Sequence, residues 1–270
     1  MTTLRQEIAG AAASLEEVGC ESPRLDAELL LGYVLGVDRA QLVMRGQEEA
    51  APDDRTRYLA LLSRRAKREP IAYILGKRDF RHLTLVVDPR VLIPRPETEL
   101  LVEVGLTLPA GSRVADIGTG SGAVALALKH ERPDLDVIGA DVSSGALSVA
   151  RMNAQRLGLQ VEWRQGDLLD DIDCTAVLAN LPYVADDELL PPEVALYEPR
   201  GALLGGVDGL EIVRRLIEQA RTRPEIVLVA LEIGSTQADA TAKLLEQAGF
   251  HEVERLRDLA GHERVVVGRR

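Results

Sequence analysis

The segment V-A-D-I-G-T-G-S-G-A-V-A-L-A-L at 114–128 leaves few folds open to this chain. An apolar run enters a loop carrying Gly118, Gly120 and Gly122, then continues as an apolar stretch with helical spacing. Glycines let a backbone turn sharply and approach a ligand, and the helix start beyond them offers unpaired N–H groups. Strand, glycine loop and helix in that order form the first unit of a parallel α/β sheet. The rhythm continues downstream. Strand-like runs DVIGAD, VEWRQG, AVLAN and EIVLVALEI alternate with helical stretches at 120–130, 143–157, 209–221 and 235–247. FHEVERL and ERVVVGRR read as two strands closing an antiparallel edge.

Upstream the texture differs. Leu4, Ile8, Ala11, Ala12 and Leu15 recur at three and four, as do Leu25, Leu29, Leu30 and Val34. Ser22-Pro23 and Pro52 followed by Asp53 and Asp54 are helix starts. Residues 1–75 therefore read as a small all-α domain and 76–95 as a connector. In the connector FRHLTLVVD alternates loosely, and Asp88-Pro89-Arg90 turns the chain into VLIP, which predicts a two-stranded hairpin. Residues 96–270 form the α/β domain.

With 46% apolar residues in 270, the chain can bury a full core. Its net charge of −11 and pI near 5.0 argue against a protein that works by neutralising nucleic-acid phosphates. Cys20 and Cys174 fit no metal or redox spacing and read as buried free thiols; four scattered histidines suggest no zinc site, so no metal is expected. The sequence shows no basic-then-apolar leader and no long apolar run, so a soluble, cytoplasmic protein with no membrane contact is expected. Nothing calls for more than a monomer. Arg64, Arg65, Lys67 and Arg68 form a dense basic cluster at a helix end. It reads as a solvated complement to the helix dipole, or else as a contact for an acidic protein substrate.

Asp141 closes the strand after the glycine loop, 19 residues beyond Gly122, where a carboxylate can accept both hydroxyls of a ribose. A dinucleotide fingerprint is tolerable here, with Ala123 at its sixth position. Asp116 tells against it, because a carboxylate two residues before the first glycine repels pyrophosphate and suits a ligand carrying an ammonium and a sulfonium. D-x-G-x-G-x-G resembles the first motif of class I S-adenosylmethionine-dependent methyltransferases. Asp167, in Q-G-D at 165–167, stands where that class places an acid beside the adenine, and equally could cap a helix. Leu168 takes the place where an aromatic often stacks on adenine.

At 179–183 stands A-N-L-P-Y, at the end of the fourth strand of the domain. An amide nitrogen is a poor nucleophile because its lone pair is delocalised. Two oxygen acceptors can hold an –NH2 group so that the lone pair faces the methyl carbon and the growing positive charge is stabilised. The Asn180 side-chain oxygen and the Leu181 carbonyl are such acceptors; Pro182 keeps Leu181 extended, and Tyr183 offers a flat surface for a planar amide or base. The alternative is a strand-ending turn beside a core tyrosine.

This tetrapeptide resembles the (Asn/Asp)-Pro-Pro-Tyr motif of amino-methyltransferases, with leucine replacing the first proline, and also the motif of ribosomal RNA adenine dimethyltransferases. Substrate is chosen elsewhere. EPIAYILGKRDF at 69–80 and VLIPRPETELLV at 91–102 closely resemble the protein-(glutamine-N5) methyltransferases of the PrmC/HemK family, as do D-I-G-T-G-S-G-A-V-A-L-A-L at 116–128, Tyr197-Glu198-Pro199 and the segment 202–210. The resemblance spans nearly the whole chain. It implies a helical substrate-binding domain, a hairpin and a class I Rossmann-like catalytic domain. It implies methyl transfer from S-adenosylmethionine, yielding S-adenosylhomocysteine, to the glutamine of the Gly-Gly-Gln motif in class 1 peptide-chain release factors. It assigns Asp116, Gly118, Thr119, Gly120, Ser121, Gly122, Asp141, Asp167, Leu168 and Asn180 to the donor. Asn180, Leu181, Pro182 and Tyr183 fall to catalysis and the glutamine, with Arg95, Glu97 and Glu198 around the glutamine pocket. Two other readings stand beside it: an adenine-N6 methyltransferase acting on RNA or DNA, and a dinucleotide-binding module or NAD-dependent dehydrogenase.

Overall fold

The computed structural model describes residues 2–270. Five helices come first: α1 (Leu4–Glu17), α2 (Pro23–Leu35), α3 (Arg39–Met44), α4 (Pro52–Ala66) and α5 (Ile71–Leu75). A hairpin of β1 (Lys77–Phe80) and β2 (Leu83–Val86) precedes α6 (Glu99–Leu106). Strands and helices then alternate through β3 (Arg113–Ile117), α7 (Ala123–Glu131), β4 (Asp136–Asp141), α8 (Ser144–Leu157), β5 (Glu162–Gln165) and β6 (Ala176–Ala179). The chain continues with α9 (Pro192–Tyr197), α10 (Glu211–Arg221), β7 (Leu228–Glu232) and α11 (Ala238–Gln247). It ends in β8 (Glu252–Arg257) and β9 (Glu263–Arg269). Two compact units result, one of the residues up to Gly76 with Leu190–Tyr197, the other of Lys77–Leu189 with Glu198–Arg270. That α9, so far downstream, belongs to the helical unit is not legible in the sequence.

In the helical unit, Leu4, Ile8, Leu30, Leu31 and Tyr58 are buried together. Thr3 and Gln6 close a capping box that starts α1, each side chain accepting the other's backbone N–H at 3.4 and 3.0 Å. The basic cluster is not a solvated patch. Arg65 lies two helical turns beyond buried Tyr58 on the same inward stripe, and is itself buried, paired with Asp26 at 2.7 Å and Glu193 at 3.0 Å. Arg68 donates to Glu193 at 2.7 and 2.6 Å, and Arg64 to Glu69 at 2.8 and 2.5 Å. Three of the four cations are thus neutralised by carboxylates of their own unit, which weakens the reading of a free docking patch. Asp26 and Glu193 are too distant in sequence to be read as partners.

The other unit is built on a seven-stranded sheet ordered β5-β4-β3-β6-β7-β9-β8. The first five in that order are parallel; β9 runs antiparallel to β7, and β8 to β9. The central strands β6 and β7 are buried along their whole length, as strands covered by helices on both faces must be. Leu126, Leu128 and Leu178 belong to one core, and Ile117, Val177 and Leu216 to the other. Trp163 of β5, the chain's one tryptophan, lies over Gly139 of β4, where an added Cβ would come within 2.3 Å of its ring. No described helix is long and apolar enough to cross a membrane. Cys20 and Cys174 are free and buried, and burial pushes the Cys174 thiol up to about 12.

The hairpin differs from the expectation. Its strands are KRDF and LTLV, closing at Phe80 and Leu83 around Arg81-His82, and V-L-I-P at 91–94 is not a strand. Asp88-Pro89-Arg90 looked like the turn, whereas the real one carries no glycine or asparagine. Arg81 sits at φ 49°, held there by tertiary charges. Its N–H donates to Glu99 at 3.1 Å, and its guanidinium pairs with Glu103 and with Glu131 at 2.5 and 2.8 Å. Those contacts offset the strain of a left-handed arginine.

Candidate active site

The carboxyl ends of β3, β4, β5 and β6 open into a cavity of about 530 Å³. Strand order reverses between β3 and β6, the place where open α/β sheets bind ligands. Gly118 to Ser121 follow β3, Asp141 ends β4, Asp167 and Leu168 follow β5, and Asn180 to Pro182 follow β6; all line the cavity, as does Asp116. The Asn-Leu-Pro turn therefore shares one cleft with the glycine loop. Gly122 does not line it. At φ 82° it caps the start of α7 and supports the loop from outside.

Two carboxylates shape the loop. Asp116 is buried, and its Oδ2 accepts the Thr119 hydroxyl at 2.6 Å and the Ala125 N–H at 3.0 Å. One oxygen thus ties loop to helix, which the sequence reading of Asp116 as a ligand group alone did not foresee; Oδ1 is left for the cavity. Burial, opposed by these bonds, pushes its carboxyl up to about 6. Asp141 Oδ2 accepts the Gly120 N–H at 2.9 Å and Oδ1 that of Ser143 at 2.8 Å. Each oxygen keeps a second lone pair, so a diol can still be bound. Burial raises this carboxyl as well. Gly118, at φ 73°, leaves space where a Cβ would stand 3.2 Å from Leu181 Cδ2 and 3.4 Å from the Asn180 carbonyl oxygen.

Asn180 Nδ2 donates to the Thr98 hydroxyl at 3.0 Å, which leaves Oδ1 as the acceptor this side chain can offer. Leu181 is buried and packs under the glycine loop, so leucine in place of the family proline joins the two walls of the cleft through its side chain. Tyr183 is not part of the cavity lining. Its hydroxyl lies 3.5 Å from Glu232 Oε1, and its carbonyl accepts from Gln237 at 3.0 Å.

Arg95, Glu97 and Glu198 stand outside the cavity lining. Glu198 is buried and acts as a clamp, taking the Arg95 guanidinium at 2.5 Å and the Ile93 N–H at 3.0 Å. Pro94, which this clamp holds, does line the cavity. Glu198→Ala strands the Ile93 N–H and a partly exposed arginine, and is expected to cost about 2 kcal/mol. The check is calorimetry, in which Tm should fall by about 5 °C. Asp167 caps no helix, since the residues after it form turns; it pairs with Arg215 on α10. Leu168 is buried at φ 56° and lines the cavity.

Two residues near the site escaped sequence reading. Thr98 lies inside the VLIPRPETELLV segment at 91–102, where nothing local marks its hydroxyl as a partner for Asn180. Glu232 closes an otherwise apolar strand, and that lone charge was the available sign.

Residues 7–76 match the family described as PrmC N-terminal domain, and 96–191 match the methyltransferase small domain. The release factor glutamine methyltransferase of Geobacter sulfurreducens is 39% identical over 277 aligned residues, covering 99% of this chain and 96% of its own. The chain belongs to the release factor glutamine methyltransferase family. Another family member, from Neisseria gonorrhoeae, is 43% identical over 255 residues, spanning 92% of this chain and 93% of its own. Among solved structures, the hMettl16 catalytic domain in complex with MAT2A 3'UTR hairpin 6 superposes with a TM-score of 0.59 at 17% identity, covering 77% of this chain and 81% of that one. A methyltransferase from Pyrococcus furiosus does so at 0.51 and 16%, covering 68% and 87%. At that identity these two show the family's fold and nothing of its substrate.

Proposed function

We propose that this chain methylates the side-chain amide nitrogen, N5, of the glutamine in the Gly-Gly-Gln motif of class 1 peptide-chain release factors, using S-adenosylmethionine. The observation that carries the chemistry is the meeting of the Asn180–Pro182 turn and the glycine loop in one cavity. Family membership carries the substrate. The cavity's own residues suit the donor. Arg90 and Arg215 on its wall are paired with Asp88 and Asp167, so Asp116 and Asp141 set its free charge, which favours a cation.

When bound, S-adenosylmethionine supplies an electrophilic methyl group on a sulfonium. Asp141 accepts the ribose hydroxyls, Asp116 faces the ammonium, and Asp167 and Leu168 border the adenine. Asn180 Oδ1 and the Leu181 carbonyl each accept one N–H of the glutamine amide, while Tyr183, outside the cavity lining, supports the turn from behind with its hydroxyl toward Glu232. Held between two acceptors, the nitrogen presents its lone pair to the methyl and carries less of the cost of turning positive. No strong base is needed, because the methylated nitrogen is acidic and sheds its proton afterwards. We assign residues 1–75 to gripping the release factor and 96–270 to catalysis, in a cytoplasmic monomer that touches neither membrane nor nucleic acid.

Donor affinity is expected to fall as pH drops through about 6. A cation binds the ionised Asp116, so below that value binding must first expel a proton; titration calorimetry across pH checks the sign. The function itself is tested by incubating the protein with S-adenosylmethionine and a release factor and weighing the Gly-Gly-Gln peptide. A gain of one methylene unit on glutamine supports the reading. Methyl transfer to RNA or DNA with an unmodified factor would overturn it in favour of an adenine methyltransferase, which family membership does not favour.

A further inference from the structure

Glu232 lies behind the Asn180 turn with an unmet need. It ends β7, which pairs in parallel with β6 so that Leu231 stands opposite Ala179. Asn180 and Glu232 therefore leave adjacent strands at the same end of the sheet. Glu232 is 2% exposed, and its Oε2 is buried without a hydrogen-bond partner. Buried acids left unsatisfied cost stability, and they persist where function needs them. Thr98 lies close enough to hold this carboxyl's pKa down in the manner of a hydroxyl donor, although no hydrogen bond of ordinary geometry reaches Oε2. The same Thr98 oxygen accepts from Asn180 Nδ2 at 3.0 Å.

A hydroxyl has one proton. If a carboxylate draws that proton, the Thr98 oxygen must accept from Asn180, so the amide turns its –NH2 inward and its oxygen toward the cleft. Without the carboxylate, Thr98 can donate to Asn180 Oδ1 instead. The amide then flips and offers –NH2 to the substrate's own –NH2, a pairing of two donors that cannot bind. We propose that Glu232 is a positioning residue for methyl transfer, acting through Thr98 to fix which end of the Asn180 amide faces the substrate.

The charge balance allows a second readout. Burial pushes the Glu232 carboxyl up to about 7, against a hydrogen bond from Thr98; Glu97 repels it further, while Arg264 and the Tyr183 hydroxyl oppose the rise. Arg264 is itself paired with Asp258 at 2.9 Å. As pH falls through about 7 the acid gains a proton and loses its hold on Thr98, so turnover falls on the acid side. Stability has the opposite sign. A carboxyl raised above its unfolded value stabilises the fold at low pH, and that contribution is gone once pH has risen through 7.

The inference rests on the role proposed for Asn180, and the variants separate the two. Glu232→Gln and Thr98→Val are each expected to lower kcat by about 10- to 100-fold, the cost of a misplaced reacting group, with KM for S-adenosylmethionine unchanged. Thr98→Ser, which keeps the hydroxyl, should recover most of what Thr98→Val loses, and the double variant should be no slower than the slower single one. Glu232→Gln should also lose the acid limb of the kcat profile and melt no lower than wild type at pH 8. A purely structural glutamate would give the reverse, a lower Tm with kcat and its pH profile intact, and that result overturns the proposal. So would losses from Thr98→Val and Glu232→Gln that simply multiply. If Asn180→Ala is inactive while Glu232→Gln is fully active, only the positioning role fails; if Asn180→Ala is itself active, the reading beneath it fails.

Discussion

Asn180→Ala is expected to reduce the rate of methyl transfer by about 100- to 1,000-fold, the usual effect of removing one preorganised partner of a developing charge. The side chain lies at the meeting of the two walls, and its Nδ2 is already engaged by Thr98. Alanine deletes the one oxygen that can hold the substrate nitrogen from the side-chain direction, while the Leu181 carbonyl remains. One acceptor fixes a distance and leaves rotation free, so the lone pair is no longer aimed. Donor binding should be nearly unchanged, because the donor is held chiefly from the β3 and β4 ends. Single-turnover assays with calorimetry of donor binding separate the two quantities. Equal losses in rate and donor affinity would mean that Asn180 serves the donor rather than the amide.

Asp141→Ala should instead act on the donor, weakening its affinity by about 100-fold. Two hydrogen bonds from ribose hydroxyls to a carboxylate are worth about 3 kcal/mol together, enough for that factor. Part of the loss comes from the loop, since Asp141 also accepts the N–H groups of Gly120 and Ser143. Asp141→Asn keeps one acceptor oxygen and should fall between wild type and alanine. Titration with S-adenosylhomocysteine is the direct measurement. Affinity unchanged in both variants would show that the ribose does not sit at the end of β4.

Local chemistry made much of this legible. The alternation from 113 onward dictates a parallel sheet because strands covered on both faces must be apolar throughout. β6 and β7 read that way in the sequence and are buried along their whole length. The glycine loop, Asp141 and Asn180 were readable for a related reason. In a parallel sheet every strand end falls on one rim, so residues at strand ends converge however far apart they stand in the chain.

What escaped depends on partners distant in sequence. Arg81 could not be seen as a turn residue, because its left-handed backbone is held by Glu99, Glu103 and Glu131. The basic cluster looked solvated until Asp26 and Glu193 came to Arg65 and Arg68. Asp167 reads equally as an adenine-side acid and as a helix cap, and only the turn that follows it and its pairing with Arg215 remove the cap. By itself the sequence determined the sheet, the rim and the residue types on it, since periodicity and strand-end position are local properties of the chain. Only the tertiary structure decided which charges neutralise one another and which end of Asn180 is tied down, because hydrogen bonds and ion pairs form through space and carry no mark in the order of residues.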